Sequence, residues 1–557
     1  MNKFGKYYTK LTGSEEGNEK YSVELKKSIE KAGQLCLDNL KNNSFAPIMM
    51  MGNIQSGKTR AFIGLMSLCF DNDFDMTIIL TKCSTALVKQ TVSRMTSEFD
   101  CFRNGNATVG EVVAQDILEI DFRSCETMED KENAVKKFLR RYKGKKRIIV
   151  VKKQADNVDR LNLFIEAIVK YEYYKRLLIV DDEADITSIG YEKFKGQEQL
   201  SLRRISGAIN KMRKSLHSQI EHVLMQVTAT PYALYLQPEN FSNNNIMPIK
   251  PLRTVVLPTG KGYIGGDFYF IESEDAQSEN YSKAKHLLHI VSQEEMNILN
   301  GSRKNSGKNH AITDRRTVRV EEFLRNEKFV LNSFRSWIFD VLVGTAIVQL
   351  TSGNEDYYLS AVLHAAITKT LHRSEKDLIE QSFLTLIDTL EENINDIDFY
   401  NYIKNSYNDI IQSVKEYNVL NVPTIEKVIE RIASIDEDGE IDGLINEVDI
   451  KEVNSDSDIQ TLLNSSTGEL KLENSLTIFV GGQVLDRGIT IPNMISFFYG
   501  RDPKTMQQDT VMQHCRMFGY RGNELLSVTR FYTTYRLFNS MKEITIRDNL
   551  LRERMLR

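Results

Sequence analysis

The sequence predicts an α/β fold of two parallel-sheet lobes, on three observations. Short apolar runs recur with helical patterns between them, in two separate series. The first run feeds a glycine loop, Gly52-Asn53-Ile54-Gln55-Ser56-Gly57-Lys58-Thr59, and a helical pattern follows at Arg60–Phe70. At 557 residues the chain is too long for one hydrophobic core, so two or three domains are expected.

Residues 1–45 read as a polar leader ending in a helix over about Val23–Leu40, where Ile29, Ala32, Cys36 and Leu40 recur at helical spacing. Residues 46–232 predict the first lobe. Its apolar runs are Pro47–Met51, Met76–Leu80, Arg147–Val151, Leu177–Val180 and His222–Val227. Runs of this kind, alternating with helices, indicate strands covered on both faces. Residues 233–330 hold Asn, Gly and Pro clusters at Phe241–Asn245, Gly260–Gly266 and Gly301–Gly307, which predict an irregular insertion between the lobes. A helix is expected over about Val320–Leu350, and residues 331–540 predict the second lobe. Its strands are Tyr358–His364, Asp449–Val453, Leu476–Val480 and Met494–Tyr499, with an acidic helical insertion over about 374–445. Residues 541–557 read as a C-terminal helix.

Composition excludes little. The net charge of −4 gives no sign of a strongly basic nucleic-acid binder, although a local positive groove would suffice. The six cysteines form no Cys-x-x-Cys pair, which fits reduced thiols better than disulfides or zinc. The N-terminus lacks the apolar core of a signal peptide. The longest apolar stretch, around Ser336–Leu350, is interrupted by Asp340 and is short for a bilayer span. A cytoplasmic protein with no membrane partner is expected.

The chemistry starts at the glycine loop. Gly-x-x-x-x-Gly-Lys-Thr between a strand and a helix lets backbone N–H groups of Gly52, Gln55, Ser56 and Gly57 approach phosphates. Lys58 should reach the β and γ phosphates of ATP, and Thr59 should bind Mg²⁺. The run Leu177–Val180 ends in Asp181-Asp182-Glu183. A buried strand delivering carboxylates there suits Asp182 as metal ligand and Glu183 as orienter of water, with Asp181 competing. An acidic helix cap is the plainer alternative. Thr228 and Thr230, at another strand end, could sense the nucleotide and couple it to the other lobe, or simply cap a turn. Arg516 and Arg521 are candidate arginine fingers; in isolation they would read as surface arginines.

Other features read as structural. The basic run Lys136–Lys153 is expected to be a solvated helix end rather than a phosphate contact. Asp436–Glu447 fails as a calcium loop, because Ser434 and Ile445 occupy its first and twelfth ligand positions. His364 and His372 suit core or surface positions better than a metal site. No residues assemble a restriction-type nuclease cluster.

Together these blocks resemble the motifs of superfamily-two helicases. Gly52–Thr59 is similar to motif I, Thr81–Gln90 to motif Ia, Asp182–Asp185 to motif II, Thr228–Thr230 to motif III, Gly481–Thr490 to motif V and Gln513–Arg521 to motif VI. The closer resemblance is to the Z1 domain family of bacterial helicase-like ATPases. It is carried by Gln55–Thr59, Val151–Asn157, Thr228–Tyr232, Val453-Asn454-Ser455, Gly481-Gly482 with Leu485-x-Arg487-Gly488-x-Thr490, and Arg516-x-Phe518-Gly519-Tyr520-Arg521. It covers most of residues 45–540. Asp486 and Ile489 depart from many relatives, and the chain ends soon after the second lobe, so no nuclease or target-recognition domain is expected within it.

The resemblance implies two RecA-like lobes closing on Mg-ATP, with Gly488 and Gln513 beside the nucleotide. It implies nucleic-acid backbone contacts from Thr81, Lys82, Gln90 and Arg487. It also implies a DNA translocase or helicase motor in a restriction-like anti-phage system, with a nuclease or methyltransferase partner. The alternative expectation is a nucleotide-switch ATPase that recruits such a partner without translocating, docking it on the acidic helical segment.

Overall fold

The computed structural model describes residues 3–13, 21–82, 85–103, 108–114, 127–141, 144–170, 174–186, 188, 191–193, 200–217, 219–237, 246–301, 318–464, 469–482, 490–502, 511–512 and 514–556. Two compact units emerge. The first is Met1–Lys261 with Arg552–Arg557, and the second is built on Gly262–Asn464 and Glu469–Leu551.

The strands of the first unit are β1 (Ile48–Met51), β2 (Met76–Thr81), β3 (Val109–Ala114), β4 (Lys146–Lys152), β5 (Arg176–Asp182), β6 (Tyr191–Lys193), β7 (Leu200–Leu202), β8 (Glu221–Thr228) and β9 (Arg253–Val256). Seven of them form one parallel sheet in the order β3-β4-β2-β5-β8-β1-β9, while β6 and β7 pair antiparallel. The apolar runs are continuous because both faces are covered. Ile79, Ile148 and Val150 enter one core with Ile29, Ala32, Phe62 and Leu65 from helices Val23–Lys41 and Lys58–Asp71. Their neighbours Ile78, Leu80, Ile149 and Val151 enter the other, with Val158, Leu161, Ile209 and Met212 from helices Ala155–Lys170 and Arg204–His217. Alternation thus sends successive residues of one strand into two cores.

The leader belongs to this unit. Helix Lys6–Thr12 is capped by Asp71, whose carboxylate accepts from the N–H groups of Tyr7 (3.1 Å) and Tyr8 (2.8 Å). The basic run Lys136–Lys153 is not one solvated helix end. Its first part closes helix Met128–Arg141, but its second is β4, in the sheet between β2 and β3.

The strands of the second unit are β10 (Tyr263–Ile264), β11 (Leu288–Val291), β12 (Leu359–His364), β13 (Ser434–Ile435), β14 (Ile441–Asp442), β15 (Val448–Val453), β16 (Leu476–Gly481), β17 (Met494–Tyr499), β18 (Gly519–Tyr520) and β19 (Arg530–Thr534). A second parallel sheet runs β11-β19-β17-β12-β16-β15, with β10 paired to β18 and β13 to β14. Each unit is a RecA-like lobe: a parallel sheet with helices flanking it.

The segment 233–330 differs from the irregular insertion the sequence predicts. β9 extends the first sheet beside β1, β11 extends the second beside β19, and β10 braces β18. Division falls at Lys261/Gly262 rather than at 232. The helix expected from Val320 is also shorter: a single turn at Val320–Glu322 precedes helix Asn332–Ser352. Buried Arg335 accounts for the break, because its guanidinium ties down the turn carbonyls of Phe323 (2.9 Å) and Asn326 (2.8 Å).

Helix Asn332–Ser352 is long and apolar enough to cross a membrane, yet 83% of its apolar window is buried within the protein. Its polar groups have specific partners there. Trp337 donates to Ser496 (2.9 Å), and Asp340 accepts from Ser406 (2.6 Å) and Tyr532 (2.5 Å). The acidic insertion consists of helices Lys369–Glu392, Ile397–Glu416 and Ile425–Ile432 with the β13-β14 pair. Leu378, Phe383, Phe399, Ile403 and Val428 anchor it into the same core as the sheet.

Candidate nucleotide site

The glycine loop leaves β1 and opens helix Lys58–Asp71. Gln55 and Gly57 take left-handed backbones, φ 55° and 92°, which turn the loop back over the helix N-terminus. Ser56 and Lys58 both donate to the Asn53 carbonyl, at 2.8 and 2.9 Å, so the loop is closed on itself. A Cβ at Gly52 would lie 2.7 Å from Lys58 Cγ and 3.2 Å from Leu257. The bare backbone there suits close approach of a phosphate. Thr59 sits in the first helical turn. Burial pulls the Lys58 ammonium below its ordinary range, and the carboxylates of Glu183 and Asp182 oppose that pull.

Those carboxylates follow from β5. Register pairs Leu80 of β2 with Asp181 of β5, so the residues just beyond each strand emerge side by side. Asp181 turns inward, where Lys153 (3.0 Å) and Ser188 (2.8 Å) donate to it. It is therefore no competitor for a metal, and Asp182 and Glu183 remain at the strand end. The Lys153 ammonium, fully buried, also donates to the carbonyls of Asp182 (2.7 Å) and Glu183 (2.8 Å). Lys82 pairs with the Glu183 carboxylate at 2.8 Å. Burial raises the Asp182 carboxyl to about 6, with Glu183 adding to the rise. Burial would raise Glu183 too, but Lys82 and Lys58 hold it below the usual carboxylate range.

Asp185 completes this group. It accepts from the hydroxyls of Thr228 (2.6 Å) and Thr230 (2.8 Å), and the Thr230 N–H donates to Thr228 Oγ1 (2.9 Å). The Thr228 carbonyl also accepts from the Gly52 N–H (3.2 Å), linking this strand end to the glycine loop. Arg552, near the chain's end, donates to the Ala229 carbonyl at 3.2 Å, and its charge is felt at Lys58.

Sequence reasoning missed the roles of Lys153 and Arg552. Lys153 lies in a quoted family block, but nothing local distinguishes a buried clamp from a solvated lysine. The residues assigned to nucleic acid stand differently from expectation. Thr81, Lys82 and Gln90 are all buried, so their side chains do not line an exposed strand path here. Arg487, Gly488 and Gln513 lie outside the described residues.

The arginine motif of the second unit is built by packing. Arg516 is buried, and its N–H donates to the His514 carbonyl at 2.7 Å. His514 is gripped by Tyr499 (2.8 Å) and Arg501 (3.2 Å). Phe518 stacks on Tyr269, whose hydroxyl donates to the Met517 carbonyl (3.3 Å). Arg521 is half-buried and donates to the Met494 carbonyl. Gly482, at the end of β16, lies against His372, which is buried with its ring nitrogens facing Asn454 and Ala366. His364 is likewise buried. Elsewhere His289, Asp340 and Asp409 converge, but Arg530 supplies the positive charge there through Asp409 at 2.9 Å.

Residues 334–557 match the Z1 domain family model. No curated protein matches the chain. Among solved structures, S. cerevisiae Dbp5 bound to RNA and ADP BeF3 is 12% identical, over 97% of this chain and 93% of that one, with a TM-score of 0.39. The ATP-dependent Type ISP restriction-modification enzyme LlaBIII bound to DNA is 10% identical over 93% of this chain and 29% of its own, with a TM-score of 0.41. The DUF1998 helicase MrfA bound to DNA is 9% identical, over 94% and 51%, with a TM-score of 0.35.

Proposed function

We propose, on the premise that residues 334–557 form a Z1 domain, that the chain hydrolyses ATP to drive movement along nucleic acid, with DNA the first candidate track. One observation carries the reading. A glycine loop with its lysine, a strand-end Asp-Glu pair and a Thr-Asp-Thr bridge meet at the carboxyl ends of the adjacent strands β1, β5 and β8 of a parallel sheet.

In this reading Gln55, Ser56 and Gly57 offer backbone N–H groups to the phosphates, Gly52, whose own N–H is held by the Thr228 carbonyl, gives them room by lacking a Cβ, and Lys58 exchanges the Asn53 carbonyl for phosphate oxygen. Thr59 and Asp182 would hold Mg²⁺, which supplies neutralisation of phosphate charge. The fit is physical: no Cβ obstructs the loop at Gly52, and the inward turn of Asp181 leaves Asp182 at the strand end. Glu183 positions the attacking water and accepts its proton. Asp185 passes the state of that turn to Thr228 and Thr230. Arg516 or Arg521 acts as the arginine finger, and Gly488 and Gln513 complete the nucleotide contacts. The proposal extends to a cytoplasmic, restriction-like defence role beside a nuclease or methyltransferase.

The burial of Thr81, Lys82 and Gln90 favours a second reading, a switch ATPase that recruits a partner without translocating. Hydrolysis assayed with and without single- and double-stranded DNA and RNA, alongside Glu183→Gln, separates the two. Stimulation by one polymer, lost in the variant, supports the motor and names its track. Hydrolysis indifferent to every polymer sinks it.

A further inference from the structure

Three cations, Lys58, Lys82 and Arg552, share the nucleotide site with three carboxylates, Asp182, Glu183 and Asp185, while Lys153 is matched by Asp181. The cations balance the carboxylates, so a magnesium triphosphate would bring unmatched negative charge among them. The carboxylates of Asp182 and Glu183 are anchored members. The carbonyls of Asp182 and Glu183 are clamped by Lys153, which fixes the turn that carries both carboxylates. Lys82 has a flexible four-carbon stem and reaches Glu183 from the end of the neighbouring strand, with its ammonium 2.8 Å from Oε2. While it stays there, it occupies an oxygen that a water-orienting carboxylate needs. At equal distance a multiply charged terminal phosphate attracts an ammonium more strongly than a single carboxylate does.

We propose that Lys82 is a second phosphate-facing cation: its ammonium leaves Glu183 for the terminal phosphate of a bound nucleoside triphosphate, and the released carboxylate then orients water. The inference rests on the ATPase reading of this site and adds a residue that tells ATP from ADP. A diphosphate lacks the group that would draw Lys82 away and leaves the Lys82–Glu183 pair intact. The pair thereby keeps Glu183 occupied until the terminal phosphate is in place.

The test measures binding of ADP and of a non-hydrolysable ATP analogue to the full chain, its Glu183→Gln and Lys82→Gln variants, and the double variant. Glu183→Gln releases Lys82 in advance, so the analogue should bind about tenfold tighter with ADP unchanged. Lys82→Gln should weaken the analogue about tenfold with ADP unchanged, and the double variant should lose the gain from Glu183→Gln. Analogue and ADP moving together, or neither moving, overturns the inference while leaving the ATPase reading standing. A wild-type chain that binds neither nucleotide overturns both. Should Lys82→Gln not fold, Lys82→Met replaces it alone and in the double variant, because Glu183→Gln by itself also relieves repulsion of the terminal phosphate and would tighten the analogue without Lys82.

Discussion

The Nζ of Lys153 lies 2.8 Å from the carbonyl oxygen of Glu183, and Glu183 holds a left-handed backbone at φ 54°. A side chain with a Cβ adopts that conformation at a cost of about 1–2 kcal/mol. Lys153 offsets the cost by drawing Glu183, Asp182 and Asp181 onto one ammonium.

Removing that ammonium leaves the buried Asp181 carboxylate without its cation. Lys153→Met is expected to destabilise the first unit by about 3–5 kcal/mol, as one-sided loss of a buried pair does. Denaturant unfolding measures this. Any folded fraction should bind nucleotide yet hydrolyse it poorly, because the Asp182–Glu183 turn has lost its anchor. A loss under 1 kcal/mol would mean that Lys153 is not the clamp.

Gly52→Ala tests the loop itself. The new Cβ would meet Lys58 Cγ at 2.7 Å and Ser56 Oγ at 3.1 Å. Both are side-chain atoms that can shift, so the fold should survive while Lys58 is displaced. Nucleotide affinity is expected to fall about tenfold or more with little change in melting temperature, read by ligand titration and thermal unfolding. Unchanged affinity would show that the loop accommodates the methyl group.

Legibility in the sequence followed the range of the forces involved. The glycine loop, β5 and the two sheets were readable because loop chemistry and continuous apolar runs are local properties of Gly52–Thr59 and Leu177–Val180. β9 was hidden because Arg253–Val256 is four residues long between Pro251 and Pro258. β10 was hidden because Tyr263 and Ile264 are strand residues only by virtue of Gly519 and Tyr520, far along the chain. The Lys153 and Lys82 ion pairs escaped for the same reason. A lysine's burial is decided by which strands become neighbours, and no window around it contains that information.

Thr230→Val separates coupling from chemistry. It removes one of the two hydroxyls that hold Asp185, at a stability cost of about 1.5–3 kcal/mol for a hydrogen bond to a charged group. On the motor reading, the ratio of polymer-stimulated to basal hydrolysis should fall more than basal hydrolysis does. Serine at this position keeps the hydroxyl and should restore the ratio. Equal losses in both rates would make the bridge a part of the chemical step rather than a relay.

His222 predicts how the first unit responds to acid. Burial holds its imidazole down to about 4, the charges of Arg213 and His217 add to the effect, and the Ile220 carbonyl opposes it by accepting from Nδ1 at 3.1 Å. The unfolded chain binds this proton near pH 6.5 and the folded chain only near 4. Stability from the neutral ring is therefore fully present above pH 6.5 and is lost as pH falls from there towards 4, by about 3 kcal/mol in all. Removing the titration should flatten that window. His222→Phe is expected to cost stability at neutral pH, because the Ile220 carbonyl loses its donor. The gap to wild type should then close by about 3 kcal/mol between pH 6.5 and 4 in unfolding titrations, since only the wild-type chain pays the protonation penalty. Parallel pH profiles for the two proteins would mean that the ring takes up its proton in the folded state.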